Sequence, residues 1–409
     1  MTAFKRTDPS RSFWIASEEE IRQGRTTDIY FVRTQTILNA KGLSDQVGIA
    51  EITVDVLPKG WPWAVFCGLD EVAKLLEGLP VDLEALPEGT LFPARDISGV
   101  RVPVAILEGP YAKFCLYETA ILGMICQATG VATQAARVRQ LAEDALVLQF
   151  GSRRMHPAIS PMLDRASYLG GCDGVSTVLG AQRLGQAPRG TMPHALIIAL
   201  GSSEAAWTAF DELMPASVPR VALVDTYSDE KEEAVKAASL LGKRLSAVRL
   251  DTPSSRRGNF VDLIREVRWE LDVRGYRHVQ IFVSGGIHEE EIPRLRAAGA
   301  HGFGIGTLIT NAPTVDFSMD LVEMGSRLCA KRSRLSGRKS VWGCLACGAY
   351  LVLPKRLGSG QRSIHCPTCR KTMEKMLKPV LTGGRRVGRL PSPDRIRWYV
   401  LDQLRRRHG

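Results

Sequence analysis

The sequence has no apolar stretch both long and charge-free enough to read as a bilayer span, and aromatic residues make up only 7% of its 409 positions. Its first residues, Met1-Thr2-Ala3-Phe4-Lys5-Arg6, are not followed by the apolar core of a secretory signal. These absences argue against membrane and exported classes and point to the cytosol. Thiols stay reduced there, so the nine cysteines are not read as a disulfide framework. Five of them, Cys67, Cys115, Cys126, Cys172 and Cys329, are scattered, and buried packing is their default reading. No pair of acid–base carboxylates stands at a recognisable spacing either.

Charge is plentiful but unevenly placed. The net charge is +11, yet residues 331–409 hold 20 Lys and Arg against 3 Asp and Glu, and residues 1–330 have a balance of −6. The asymmetry marks a basic C-terminal module on a mildly acidic body. It argues against reading the whole chain as nucleic-acid binding.

Residues 1–20 read as an irregular arm expected to pack on the barrel. From about 47 to 108 short apolar strands alternate with Pro and Gly, with one helix at 70–79, which predicts an α+β layer. Helical spacing follows over 111–129, where Gly130 is expected to stop it, and again over 132–142. Then short apolar runs alternate with amphipathic helices. The runs are 145–150, 174–178, 221–225, 245–251, 279–283 and 302–305. Such alternation means a parallel sheet. Six or seven runs predict an irregular α/β barrel, with an open doubly wound sheet as the competing architecture. The expected segments are 1–110, 111–325 and 331–409.

All strands of a parallel sheet deliver their C-terminal ends to one face, where sites form. The ends here carry Phe150-Gly-Ser-Arg153-Arg154, Asp225-Thr-Tyr, Arg249-Leu-Asp251, Ser284-Gly285-Gly286 and Gly304-Ile-Gly306-Thr307. Glycine past a strand lets backbone amides approach an anion, and two such turns in tandem predict a phosphate site rather than mere tight turns. Arg153 and Arg249, with Arg154, Arg137 and Arg139, supply guanidinium groups for phosphate or carboxylate. Asp251 and Asp173 are candidates for ribose hydroxyls or hydrated magnesium, and His194 for proton or phosphoryl transfer. Arg256 and Arg257 either bind ligand or begin a helix.

The stretches "TTDIYFVRT" (26–34), "EGPYAKFCLYETAILG" (108–123), "ATQAARV" (132–138), "FGSRRMHP" (150–157), "YLGGCDGVS" (168–176), "RGTMPH" (189–194), "VDTY" (224–227), "VRLDTPSSRRGNF" (248–260) and "SGGI…GFGIGT" (284–307) together resemble the nicotinate phosphoribosyltransferases, in their shorter archaeal-type branch with a zinc domain. The resemblance implies an N-terminal α/β sandwich and an irregular, seven-stranded barrel. It implies transfer of a phosphoribosyl group from phosphoribosyl pyrophosphate (PRPP) with Mg to nicotinate, a pentosyltransferase step of NAD salvage that is ligase-type where coupled to ATP. By position it puts Tyr30 of a neighbouring subunit and Phe150 against the pyridine ring, in a homo-oligomer with its site at the interface. Arg137, Arg153 and Arg249 take the carboxylate and phosphates, and Asp251 the ribose. Gly285, Gly286 and Gly306 with Thr307 take the 5′-phosphate, Ser284 and Gly304 are further substrate-binding residues, and His194 is the residue phosphorylated in ATP-using members. Quinolinate and nicotinamide transferases are the related alternatives.

Near the C-terminus, Cys344-x₂-Cys347 and Cys366-x₂-Cys369 supply four thiolates at a spacing suited to a structural, tetrahedral zinc ion. Zinc ribbons with arginine tails such as Arg405-Arg406-Arg407 often bind nucleic acid. Docking on the acidic body or on the partner subunit is the reading preferred here, and a non-enzymatic nucleic-acid-binding protein is the alternative from another class.

Overall fold

A computed structural model describes residues 12–358 and 363–408. Most of the arm expected over 1–20 thus lies outside the described residues, and its end enters a short helix, Glu18–Arg22. The alternation of apolar runs and helices forms a parallel sheet, as its pattern requires. Its strands are Leu146–Gln149, Gly174–Val175, Arg220–Leu223, Leu245–Leu250, Gln280–Val283 and Gly302–Ile305, called here the first to sixth barrel strands. Their spatial order is second, first, sixth, fifth, fourth, third. The sixth pairs with the first, so the sheet curls back on itself. Among the described residues this sheet has six strands rather than the seven that the resemblance implies, and the second and third do not pair, which leaves one open seam.

Side-chain alternation sets what faces inward. On the fourth strand Val248 and Leu250 are fully buried under the helices, while Arg249 points to the interior. On the sixth, Phe303 and Ile305 are buried outward and Gly302 and Gly304 face inward. Each fully buried aliphatic or aromatic side chain on that outer face contributes about 1.5–3 kcal/mol.

The seven-stranded sheet beside the barrel is antiparallel. It runs Arg327–Leu328, Phe317–Met324, Val47–Val54, Ala105–Pro110, Asp82–Ala85, Lys378–Thr382 and Arg385–Arg386. Strands from all three expected segments therefore share one sheet. A helix of 25 residues, Glu118–Ala142, joins this layer to the barrel. It runs straight through Gly130, contrary to the stop expected there. A Cβ at Gly130 would lie 2.2 Å from the Pro313 carbonyl oxygen, so the glycine serves close packing against residues 313–314. The segment Tyr111–Ala142 is also long and apolar enough to cross a membrane, which corrects the expectation of no such stretch. Here it is a core helix, with Ala128–Ala136 buried between the two layers.

The C-terminal segment adds a four-stranded sheet, Tyr350–Pro354, Lys339–Gly343, Thr372–Lys375 and Ile364–His365, and ends in the helix Pro393–His408. Six of its cations meet seven carboxylates of the body. Lys339 is buried on Glu51 at 2.7 Å, Arg338 joins Glu84 and Glu108, and Arg386 joins Asp70 and Glu77. Lys331 and Arg334 share Asp320, and Arg397 holds Asp173 at 2.6 Å. Part of the charge asymmetry in the sequence is thus an internal interface.

Candidate functional site

The C-terminal ends of the barrel strands enclose a mouth built around Arg249. Its Nε donates to Ser284 Oγ at 3.0 Å, Nη1 to Thr191 Oγ1 at 2.8 Å, and Nη2 pairs with Asp251 Oδ2 at 2.8 Å. The guanidinium lies 5.5 Å from the centroid of the Phe150 ring, and Phe150 is tilted against Phe282 at 5.9 Å. Three of five N–H donors are engaged, so two remain for a ligand held over the ring. The sixth strand makes the room. A Cβ at Gly304 would come within 2.6 Å of the Phe150 ring, and one at Gly302 within 2.6 Å of Phe282. Gly304 is therefore explained by ring packing inside the barrel, not by an amide offered to phosphate.

The Ser284-Gly285-Gly286 turn does need glycine for its backbone. Both glycines have positive φ, +88° and +74°, and a Cβ on Gly285 would strike the Asp251 carbonyl at 2.6 Å. Buried Arg257 buttresses this turn by donating to Gly285 O at 2.7 Å, and its other end pairs with Glu291. It is a structural arginine, while exposed Arg256 has no ion-pair partner among the described residues. Gly306 caps a short helix, Thr307–Thr310, and packs against Gly151. Arg153 and Arg154 sit exposed on the turn after Phe150, and their guanidinium groups have no hydrogen-bonding protein partner among the described residues.

Opposite Arg249 stand a histidine and two aspartates. His194 Nε2 is 3.6 Å from Asp251 Oδ2 and 3.9 Å from Asp225 Oδ1, and its Nδ1 is 3.0 Å from Thr226 Oγ1. Asp251 Oδ1 accepts from Ser284 Oγ at 2.5 Å. The Asp225 side chain is 2% exposed. Its Oδ2 accepts from the Asp251 amide and the Thr252 hydroxyl, and its Oδ1 has no hydrogen-bond partner among the described residues. Burial pushes this carboxyl up to about 6, with His194 pulling the other way. Asp225 was not singled out from sequence, although "VDTY" at a strand end was the available signal. Thr191 was missed as well, because only the fold shows that its loop lies against the fourth strand.

Three expected site residues lie elsewhere. Asp173 precedes the second strand, at the end of the barrel opposite Phe150. Its oxygens are taken by Arg139, the Val147 amide and Arg397, so it is a structural anchor. Arg137 is tied to Glu289 at 2.6 Å and packs near Trp61. Tyr30 is exposed on the helix Ile29–Ala40 and lines a separate hollow of about 460 Å³ with Tyr111, Glu118 and Lys331. A larger cleft, about 1180 Å³, between the antiparallel layer and helix Ser160–Leu169, contains none of the expected residues.

The four cysteines of the C-terminal module do converge. All four Sγ atoms lie within 4.8 Å of one another, with Cys344–Cys369 at 3.4 Å and Cys347–Cys366 at 3.6 Å. A tetrahedral zinc with bonds of about 2.3 Å needs sulfur–sulfur edges of about 3.8 Å, so the cluster fits a metal such as zinc.

Residues 28–129 match the quinolinate phosphoribosyl transferase N-terminal domain and residues 131–320 its C-terminal domain. A nicotinate phosphoribosyltransferase of Mycobacterium tuberculosis is 30% identical over 423 residues, covering 92% of this chain and 86% of the relative. The chain belongs to the nicotinate phosphoribosyltransferase family. The Bacillus subtilis nicotinate phosphoribosyltransferase is 28% identical over 70% of this chain and 63% of its own length. A crystal structure named nicotinate-nucleotide pyrophosphorylase, from Pyrococcus furiosus, superposes with a TM-score of 0.92 at 50% identity, over 98% of this chain and 99% of that one. Human nicotinic acid phosphoribosyltransferase shares the fold, with a TM-score of 0.73 at 22% identity over 93% of this chain and 94% of that one.

Proposed function

We propose that the protein transfers the phosphoribosyl group of PRPP to nicotinate, giving nicotinate mononucleotide and pyrophosphate in NAD salvage. The observation that carries the reading is a single arginine, Arg249, fixed over an aromatic face beside the Ser284-Gly285-Gly286 turn at the barrel mouth. In this reading its two free N–H donors take the nicotinate carboxylate while Phe150 and Phe282 line the ring. The pyridine nitrogen then forms the C–N bond at the anomeric carbon, and the C–O bond to pyrophosphate breaks with its electron pair. A pyridine nitrogen needs no base, so the residues act by positioning and by charge. We assign the ribose hydroxyls to Asp251, the 5′-phosphate to the turns at Gly285, Gly286, Gly306 and Thr307, and the pyrophosphate, with Mg, to Arg153. His194, facing two carboxylates, is the assigned phosphoryl acceptor in an ATP-coupled cycle. Tyr30 fits its family role only as a residue donated by a second subunit, which makes a homo-oligomer part of the proposal. Zinc in the four-cysteine cluster would be structural, and the setting is the cytosol.

The quinolinate descriptions of the matched domains favour one second reading, a decarboxylating transferase. Quinolinate carries two carboxylates. The barrel interior offers Arg249, whereas Arg137 and Arg139 are already paired with Glu289 and Asp173. One carboxylate suits one interior arginine. The test is turnover of nicotinate, nicotinamide and quinolinate with PRPP and Mg, each with and without ATP. The reading expects nicotinate mononucleotide from nicotinate. Release of carbon dioxide from quinolinate, with nicotinate inert, would overturn it.

A further inference from the structure

We propose that Arg397, on the C-terminal helix, is a positioning residue for the loop that carries Thr191 and His194, acting through the second barrel strand from the far end of the barrel. That strand is two residues long and borders the open seam, so the barrel ladder holds it through two pairs, with Leu148 and Gln149, and through the Asp173 amide on Val147 O just before them. Its other edge supports the loop. The Arg189 amide donates to Val175 O at 2.8 Å, and the stem of Arg189 crosses Gly174 so closely that a Cβ there would meet it at 2.5 Å. Two residues on, Thr191 accepts from Arg249, and three further on, His194 faces Asp251. The position of the short strand therefore sets both.

Arg397 holds the N-terminal end of this strand. Its Nη2 pairs with Asp173 Oδ1 at 2.6 Å and donates to Gly171 O at 3.3 Å, and its Nε donates to Cys172 O at 3.0 Å. The guanidinium lies 5.3 Å from the Tyr168 ring centroid, and Tyr168 Oη donates to Asp394 Oδ1 at 2.5 Å. Gly171, at φ +119°, is shaped to this contact: a Cβ there would meet Arg139 at 2.9 Å and Leu401 of the same helix at 3.3 Å. Further along, Gln403 accepts from the Leu91 amide and donates to Gly89 O, fixing the helix to the sheet layer. A two-residue strand with one ladder neighbour has little stability of its own, so three hydrogen bonds at its base weigh heavily on where it sits. The C-terminal module thus reaches the barrel mouth through one arginine, although that arginine touches no substrate.

The test compares Arg397→Met, Arg397→Lys and the control Arg406→Met, which removes an exposed pair with Asp402 on the same helix. Hydrogen–deuterium exchange on the full chain is expected to rise about tenfold or more at residues 172–176 and 189–194 in Arg397→Met. Residues 284–287 and 304–308 should keep their wild-type rates, and Arg406→Met should change neither region. Arg397→Lys keeps the charge on Asp173 and should fall between; it is the variant measured should Arg397→Met not fold. Kinetics supply a second arm that rests on the proposed reaction. There kcat/KM for nicotinate should fall roughly tenfold while KM for PRPP stays within about twofold. Unchanged exchange at 189–194, or a uniform rise across the barrel, overturns the proposal. Changed exchange in a protein whose wild type transfers nothing sinks the function reading alone.

Discussion

Replacing Asp225 by Asn tests whether the buried carboxyl beside His194 has the electrostatics its surroundings imply. The substituted side chain would keep an oxygen for the Asp251 amide and the Thr252 hydroxyl while losing the ionisable group. A carboxyl held near 6 instead of its ordinary 3.8 is protonated in the folded chain at a pH where the unfolded chain has already released its proton. Folding therefore binds a proton, and stability falls as pH climbs through that interval. The loss begins near pH 4, is nearly complete by about pH 7, and reaches about 3 kcal/mol at pH 8. The Asp225→Asn variant escapes it. Its stability relative to wild type, from urea unfolding followed by fluorescence, should rise from well under about 1 kcal/mol at pH 4 to roughly 2–3 kcal/mol at pH 8. Activity should move the other way, because Asp225 Oδ1 is the unpartnered acceptor 3.9 Å from His194. A stability difference that is flat from pH 4 to 8 would refute the reasoning, since it would mean that Asp225 titrates alike in both states. A variant less stable at pH 8 than at pH 4, relative to wild type, would mean that an ionised Asp225 is stabilised by a cation.

Arg249→Met should cut kcat/KM for nicotinate by at least about 100-fold and leave the chain folded, checked by steady-state kinetics beside circular dichroism. Gly304→Ala places a methyl within 2.6 Å of the Phe150 ring and should cost about 1–3 kcal/mol, read from denaturant midpoints, with activity falling as the ring is displaced. Metal analysis by mass spectrometry should find one zinc per chain. Cys366→Ser should abolish that stoichiometry and lower the thermal midpoint, whereas Cys329→Ser should change neither.

The parallel sheet was legible because period and length both showed: short apolar runs, each followed by an amphipathic helix. The continuous helix through Gly130 was not. A glycine that ends a helix and one that admits a neighbouring carbonyl look alike until Pro313 is in place. The same ambiguity affected the sixth strand. The glycines of "GFGIG" read as a phosphate turn, but strand alternation puts Gly302 and Gly304 under aromatic rings and leaves Gly306 at the mouth. Arg249, Asp251, His194 and Ser284 converge because each ends or follows a barrel strand, or its loop, on one face. Asp173 was misplaced for a related reason. It borders the right strand but stands before it, and in a parallel sheet the residue that precedes a strand lies at the end away from the mouth, so its position in the sequence already argued against a site role.

The basic C-terminal segment shows why composition needs a partner surface before it is read as function. An excess of positive charge over 79 residues looks like an electrostatic footprint for nucleic acid when the segment is taken alone. In the fold, six of its twenty cations pair with carboxylates of the body. Lys339 is 9% exposed on a Glu51 that is 4% exposed, and Lys339 Nζ also donates to the Leu335 and Gly337 carbonyls. Burial alone pushes the Glu51 carboxyl up, and Lys339 opposes that shift, so either partner without the other would be an uncompensated buried charge. Such pairing favours one arrangement of module and body over any sliding alternative. Carboxylates of residues 1–330 are then partners of part of the basic tail, and the two halves of the charge pattern are read correctly only together.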